Sequence, residues 1–484
     1  MKKRLLSILL TCAMTFTGTF SVGIYSFAEA SPAQAEETER LMDETESQTD
    51  LSWELIKDAY IYTFPLMLVY ATKEKMTNTV SPTSTQAPVN QFIHASALAT
   101  ASATNVVTPN VDTVYSQVWL DLSEDAVVLE KPSTDRFVSF QVMDAYTNSV
   151  VMLGTGGDTT DAATYLFTGP SYEGEVPEGM IQISMPTNMG WIICRTVCDG
   201  TEDLENVAAI QQNMHVSTLN QYQTGAEPAQ GTYDESKNYT PLNYILSLNP
   251  VEYFTLANQL MVENPPAAED ADAIAAMAAI NVGPGLEFNP AVLGENASEN
   301  WISMLSGMTA MLTASTQGFL VQNGIWSCYG SPIGEYGTEY NYRALVALGG
   351  LGANPLSVAM YLKTTTDSEG NRLSGDHTYV LHFDADQLPP VEEYGFWSIT
   401  AYNSENNLLI DNVLDRYCIN DRSDLQYNED GSLDISLQFA EPQEGQENWL
   451  PVNEGQFHLF LRIYLPSDEA LNGEWSAPTI QCVD

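Results

Sequence analysis

Basic side chains are scarce in this 484-residue chain: 17 Lys and Arg stand against 63 Asp and Glu, a formal net charge of −46. Phosphate backbones and anionic lipid surfaces repel such a chain, which excludes nonspecific nucleic-acid binding and electrostatic membrane attachment. Histidine is rarer still, at five residues, so a His-rich metal centre is hard to assemble. Cysteine numbers six, too few for a disulfide framework to hold an exported chain of this length. Cys194 and Cys198 lie four apart in a strand-like run, Trp191-Ile-Ile-Cys-Arg-Thr-Val-Cys. That spacing separates them by roughly 13 Å, too far for a bridge or a shared metal, so they read as buried thiols. The motifs of several large enzyme classes are missing: no G-x-S-x-G, no H-E-x-x-H, no C-x-x-C, no P-loop. Gly349-Gly-Leu-Gly ends a helical pattern instead of opening one, so it reads as a C-cap and not as a dinucleotide loop.

What remains is the composition of a folded protein, 44% hydrophobic, long enough for about three domains. Lys2, Lys3 and Arg4 precede an uncharged stretch from Leu5 to Phe27 and a small-x-small site, Ala28-Glu29-Ala30. This is the pattern of a secretory signal over residues 1–30, too weakly hydrophobic for a permanent span. The expected product is secreted or extracytoplasmic, with no stable membrane insertion after cleavage. Residues 31–50 are acidic and polar, the composition of a disordered tether.

A helical pattern follows at 51–78, with Pro65 expected to kink or break it. From 79 to 205 the period shortens. Runs such as Arg136-Phe-Val-Ser-Phe-Gln-Val-Met and Met180-Ile-Gln-Ile-Ser alternate with Gly-rich turns, as in a β-sandwich or barrel. Residues 206–355 read as mainly helical, with Thr240-Pro241 and Asn249-Pro250 as helix starts. Strands return at 356–484, most clearly in Tyr379–Phe383, Phe396–Tyr402, Leu433–Phe439 and Phe457–Leu465. The fold class expected is therefore multidomain α+β: two antiparallel β-sandwich modules, jelly-roll-like, separated by a mainly helical segment.

The two β segments resemble a paired bacterial family, domain of unknown function 1254 followed by domain of unknown function 1214. The first resemblance rests on Thr108-Pro-Asn-Val-Asp-Thr-Val-Tyr115, Trp119-Leu-Asp, Arg136-Phe, Asp144-Ala-Tyr-Thr-Asn148, Gly169-Pro170, Arg195-Thr and Asp199-Gly200. The second runs from Gly349-Gly-Leu-Gly-Ala-Asn354 through Leu373-Ser-Gly-Asp-His377, Phe396-Trp-Ser398, Arg416-Tyr417, Asn448-Trp-Leu-Pro451 and Leu461-Arg462 to Gly473-Glu-Trp475. The resemblance implies a double jelly roll with accompanying helices. It implies no reaction, because the activity of the family is not established.

Two polar constellations carry the candidate chemistry. In the first, Asn110, Asp112 and Tyr115 stand at one strand start, and Asp144, Tyr146 and Asn148 at another strand end. If the strands are neighbours, these groups line one mouth suited to a polyhydroxylated ligand, with Asp112 and Asp144 as candidate acid and base. A hydrogen-bonded corner is the plainer reading. The second comprises His377, His382, Arg416, Tyr417, Asn448, Trp449, His458 and Arg462. His458, Phe460, Arg462 and Tyr464 share one strand face, where an arginine meets either a buried carboxylate or a ligand anion. Neither constellation offers metal ligands at convincing spacing, and no cofactor is expected. Calcium is the one ion the acidic turns Asp367-Ser-Glu-Gly-Asn and Asn428-Glu-Asp-Gly-Ser leave open, although neither completes an EF-hand. The reading that follows is a protein that binds, or hydrolyses, a polar small molecule or glycan. The alternative is a structural or interaction protein of the cell envelope without catalytic activity.

Overall fold

The computed structural model of the chain describes residues 50–103, 108–294 and 296–484. The expected signal, its cleavage site and nearly all of the acidic tether lie outside them.

The first described element is a long helix, α1 (Asp50–Met76), and it runs unbroken through Pro65. Proline removes one amide donor there, but packing overrides the loss: Ala59 to Val69, Pro65 included, is buried without interruption, so no face of that stretch is left to water. Helices α2 (Leu204–Gln211), α3 (Leu219–Thr224), α4 (Pro241–Ser247), α5 (Pro250–Glu263), α6 (Ala271–Ala278), α7 (Ala297–Phe319) and α8 (Tyr340–Gly350) follow between the β regions. The Asn249 side chain accepts from the Val251 and Glu252 amides and closes a capping box at the start of α5. Trp301, Leu305, Met308 and Leu312 of α7 turn one stripe into the core. Tyr60 of α1 stacks on Tyr253 of α5 and meets Trp301 edge-on. Among the described residues no helix is long and apolar enough to cross a membrane.

The first β region builds two sheets. Strands β1 (Phe92–His94), β2 (Thr113–Asp121), β4 (Val138–Met143), β5 (Ser149–Gly154) and β8 (Met189–Val197) form an antiparallel sheet in the order β1-β2-β8-β4-β5. Strands β3 (Val127–Lys131), β6 (Ala163–Thr168), β7 (Ile181–Ser184) and β9 (His215–Thr218) form the second, in the order β7-β6-β3-β9, with β6 and β7 parallel. Val118, Leu120, Phe140, Ile192 and Cys194 of the first sheet share a buried cluster with Val127, Leu129, Tyr165 and Phe167 of the second.

The second β region repeats this plan. Strands β10 (Leu320–Asn323), β11 (Trp326–Tyr329), β12 (Ala359–Thr364), β14 (Val391–Asn403), β15 (Cys418–Asn420) and β18 (Phe457–Pro466) form an antiparallel sheet in the order β10-β11-β12-β18-β14-β15. Strands β13 (Tyr379–Phe383), β16 (Leu433–Gln438), β17 (Trp449–Pro451) and β19 (Thr479–Cys482) form a four-stranded sheet with a parallel β16–β17 edge. Leu362, Trp397, Ile399, Leu461 and Ile463 face Leu381, Phe383, Ile435 and Leu437 across their own core. The span 206–355, expected to be helical, thus also supplies β9 to the first β region and β10 and β11 to the second. These are four-residue strands, too short for periodicity to separate them from loop.

The five cysteines within the described residues are free; Cys194, Cys198 and Cys328 are buried. Burial lifts the Cys194 thiol to about 12, which keeps it protonated.

Candidate functional site

The larger sheets of the two β regions present their remaining faces to one another. That is why β2, β4, β8 and β18 are buried along nearly their whole length. The facing residues alternate with the apolar ones, so the seam between the sheets is polar and aromatic. Tyr115, Gln117, Ser139, Gln141 and Arg195 come from the first sheet. Tyr361, Ser398, Thr400, Tyr402, His458, Arg462 and Tyr464 come from the second.

The segment Thr108–Asp112 ties the two sides. The Asn110 amide nitrogen donates to the Tyr464 hydroxyl at 2.6 Å, and its oxygen accepts from the Asp112 amide at 2.6 Å and the Thr113 amide at 3.2 Å. Ser398 Oγ donates to the Asp112 carboxylate at 2.6 Å. Tyr402 donates to the Pro109 carbonyl at 2.7 Å. Thr108 has a φ of 45°, a left-handed conformation that a β-branched residue seldom adopts. Its carbonyl receives Arg462 Nη2 at 3.3 Å and its amide donates to the Asn407 carbonyl at 2.6 Å, contacts that hold the strained backbone in place.

Two arginines define the electrostatics. Arg195 is fully buried; Nη1 donates to Gln141 Oε1 at 2.9 Å and Asn354 Oδ1 at 2.8 Å, and Nη2 to the Gly352 carbonyl at 2.8 Å. Gly352 has a φ of +82°, and a Cβ there would come within 2.8 Å of Ile193, so the turn that offers this carbonyl needs glycine. Arg462 is 1% exposed and donates to Thr400 Oγ1 at 3.0 Å and the Tyr402 hydroxyl at 2.8 Å, besides Thr108. Every one of these acceptors is neutral. The Nε of each arginine, with Ser139 Oγ and Thr113 Oγ1, has no hydrogen-bond partner among the described residues. Tyr361 accepts from Asn354 Nδ2 at 2.9 Å, and its hydroxyl feels the charge of both arginines. Lys363 stands half-buried on the same sheet face, its ammonium 5.9 Å from the Phe460 ring centroid. Burial pulls its pKa down to about 8. His458 is held neutral, well below its ordinary value, by burial first and then by Lys363 and Arg462. Asp112 is the carboxylate that shares this environment, within electrostatic range of Arg462.

The first constellation expected from sequence does not close into one mouth. Strands β2 and β4 flank β8, and both run antiparallel to it. Thr113 pairs with Val197 at one end of β8, while Met143 pairs with Trp191 at the other. Continuing each register by one residue puts Asp112 and Asp144 about eight residues apart along the sheet, roughly 26 Å. Asp144 instead accepts from the Tyr146 amide at 2.8 Å and the Asn148 amide at 2.9 Å, closing its own turn. Burial raises its pKa. Tyr146 donates to the Asn264 carbonyl at 2.9 Å. Beside it, Arg343 of α8 lies among the rings of Tyr62, Tyr146 and Tyr340, with Asp270 accepting from Tyr62 at 2.7 Å and Tyr340 at 2.9 Å.

The second constellation also divides. Arg462 and His458 face the seam. Of the others, Tyr417 lies beside β15 of the inner sheet, and the rest lie on or beside the outer, four-stranded sheet. His382 pairs with Asp434 at 2.6 Å and Asp384 at 3.3 Å. Arg416 donates to the carbonyls of Gln446 at 2.6 Å and Trp449 at 2.9 Å. Asn448 Nδ2 bonds the carbonyls of Gln426 at 2.7 Å and Asp434 at 2.9 Å, and Trp449 Nε1 donates to the Gln438 carbonyl at 2.9 Å. His377 stands with Asp484 at 3.2 Å. Tyr417 donates to Asp415 at 3.0 Å. The acidic turns use their own carboxylates: Asp367 accepts from the Glu369 and Asn371 amides at 2.9 Å, and Asp430 from the Ser432 amide at 3.0 Å. Of the candidates, Asn110, Asp112, Tyr115, Arg462 and His458 share the seam. Sequence reasoning missed Arg195, Tyr361, Lys363 and Ser398 there. Arg195 carried the same signal as Arg462, a charge inside an otherwise apolar strand.

One solved structure agrees with this architecture. The crystal structure of the VPA0106 protein from Vibrio parahaemolyticus is similar at a TM-score of 0.68 and 23% identity, over 90% of this chain and 100% of that one. An uncharacterized protein from Burkholderia cenocepacia aligns over 93% and 97% of the two chains at 11% identity, with a TM-score of 0.41. No curated protein matches. The protein of unknown function family DUF1254 matches residues 89–218, whose last residue ends β9, and the family DUF1214 matches residues 358–468, from just before β12 to just past β18. The chain carries both domains, DUF1254 towards its N-terminus and DUF1214 towards its C-terminus.

Proposed function

We propose that this is an exported binding protein for a small anionic molecule, held in the seam between two jelly-roll-like sandwiches. One observation carries the reading: Arg195 and Arg462 are both buried, bond only neutral groups, and keep an unpartnered Nε. A buried cation without a contacting carboxylate is costly, and an anion that accepts from it removes the cost. A carboxylate or a phosphate or sulfate ester suits the planar guanidinium donors, and the tyrosine hydroxyls of Tyr115, Tyr361 and Tyr464 suit the hydroxyls of an acidic sugar. The backbone strain at Thr108, beside Arg462, is of the kind that collects at binding sites.

Hydrolysis by paired carboxylates is not part of this reading. Glycosidase acids stand about 5–9.5 Å apart, and Asp112 and Asp144 are separated by far more. The second reading, a structural or interaction protein, draws on the bonds from Asn110, Asp112 and Pro109 across the seam, which clamp the β regions together.

A thermal-shift screen distinguishes the two. Small carboxylates, phosphate and sulfate esters and uronic sugars are compared with neutral sugars at equal ionic strength. The anion reading expects stabilisation that grows with ligand, about 2.7 kcal/mol at a hundredfold excess over Kd, and none from neutral sugars. A response to neutral sugars alone overturns the anion reading, and no response to anything in the panel favours the structural reading. Affinity for the anion should also weaken as pH rises through about 8, because the bound anion favours the charged form of Lys363.

A further inference from the structure

We propose that His377, Cys482 and Asp484 form a binding site for a zinc-like transition-metal ion at the rim of the outer sheet of the DUF1214 region. The sheet ladder itself assembles the three. Tyr379 pairs with Cys482 across β13 and β19. Two residues further, the same register sets His377 opposite Asp484, with the Val483 amide donating to the Thr378 carbonyl at 3.0 Å. Cys482 ends β19, and Asp484 lies two residues beyond it where the register continues, so the two share a side. His377 Nδ1 lies 3.2 Å from Asp484 Oδ1, and Cys482 Sγ lies 3.5 Å from the same oxygen. One ligand atom from each residue falls within 4.8 Å of the others. Tetrahedral zinc, with metal–ligand bonds of about 2.0–2.3 Å, spaces its ligands by roughly 3.3–3.8 Å, so a small contraction closes the site. The Thr378 amide donates to Asp484 Oδ2 at 3.1 Å and holds the carboxylate facing the histidine.

The donor set selects the ion. A thiolate and an imidazole favour zinc, cobalt or cadmium over calcium and magnesium, which take oxygen ligands in larger number. Three protein ligands leave the fourth position for water or an exogenous ligand. All three residues are exposed, so the ion reaches them without any opening of the fold. The acidic surface of the chain concentrates cations in general, and the test must therefore read the thiolate and not only the metal bound.

The test is cobalt titration of the reduced, folded protein, followed optically and by equilibrium dialysis against zinc. The expected result is one cobalt ion per chain with a thiolate-to-cobalt charge-transfer band, displaced by zinc. Cys482→Ser should abolish the band, and His377→Gln and Asp484→Asn should each weaken binding by at least roughly tenfold, a change that removal of a metal ligand readily exceeds. His382→Gln, in β13 just after His377 but held by Asp434 and Asp384, should leave the titration unchanged. Exposure of these side chains keeps the variants folded, which unchanged thermal melting of the metal-free proteins verifies. Absence of the band in the parent protein, or a band that survives Cys482→Ser, overturns the proposal, as does binding indifferent to both His377→Gln and Asp484→Asn.

Discussion

On the inner sheet of the DUF1214 region Arg462 is 1% exposed and bonds a threonine, a tyrosine and a carbonyl. On the outer sheet of the same region His382 keeps a third of its side chain in solvent and has two carboxylates beside it. The chain has more than three acids for every base, so carboxylate partners are plentiful at the surface. Where a cation is buried in the seam it is nonetheless surrounded by hydroxyls, amides and carbonyls, with Asp112 as the nearby acid. Arg136 and Arg422, which sit nearer the surface, follow the outer pattern and pair directly with Asp203 and with Asp199 and Asp421. The contrast runs against the usual pattern, in which a buried charge is the one most in need of a carboxylate partner. On the proposed anion-binding reading, the seam keeps positive charge in reserve and a bound anion would balance it.

Substitutions on the two sheets should differ in proportion to that contrast. The largest effect is expected at Trp191, which is buried and stacks on Trp119 at 4.5 Å in the seam face of the first β region. Trp191→Ala should cost about 3–5 kcal/mol in denaturant unfolding, as a cavity of that size does. Asp112→Asn should come next, at about 1–3 kcal/mol, because the Ser398 hydroxyl loses a buried charged acceptor and Arg462 loses a carboxylate within electrostatic range. A loss well under 1 kcal/mol there would mean that Asp112 is not part of the clamp between the β regions.

The two histidines should give opposite pH slopes. His458 stays neutral in the folded protein while the unfolded chain takes a proton near pH 6.5, so stability falls as pH drops below that value. The slope approaches 1.4 kcal/mol per pH unit for a single proton, and His458→Gln should flatten it. His382 is raised by its hydrogen bond to Asp434, so its contribution is fully present below its ordinary value and is lost as pH rises through the folded pKa. His382→Gln should remove that smaller, solvent-screened gain. The smallest loss is expected at Lys363→Gln: burial disfavours its charge, so removing it should not lower neutral-pH stability, and it should remove the pH dependence of anion binding near 8.

Much of this was legible in the sequence. The long β runs, the helices begun by Thr240-Pro241 and Asn249-Pro250, and the shared face of His458, Arg462 and Tyr464 follow from period and capping. The short strands β9 to β11 do not, since four residues carry no period and their place is set by the sheet they join. The join of Asn110 and Asp112 to Ser398 and Tyr464 spans about 290 to 350 residues of chain and leaves no local mark. Asp112 and Asp144 looked alike because each stands at a strand terminus. Only the strand order, with β8 between β2 and β4, sends them to opposite ends of the sheet. Arg195 was legible by the rule that singled out Arg462, because each interrupts an apolar strand on the face that the alternation assigns to water. The far sheet covers that face instead.

The most direct test of the central claim is a crystal structure of the protein soaked in a heavy anion such as selenate, located by its anomalous signal. The account predicts a peak in the seam within hydrogen-bonding distance of Arg195 Nε or Arg462 Nε. Anion peaks confined to the outer surface, with both guanidinium groups unchanged in an undisturbed seam, would contradict it.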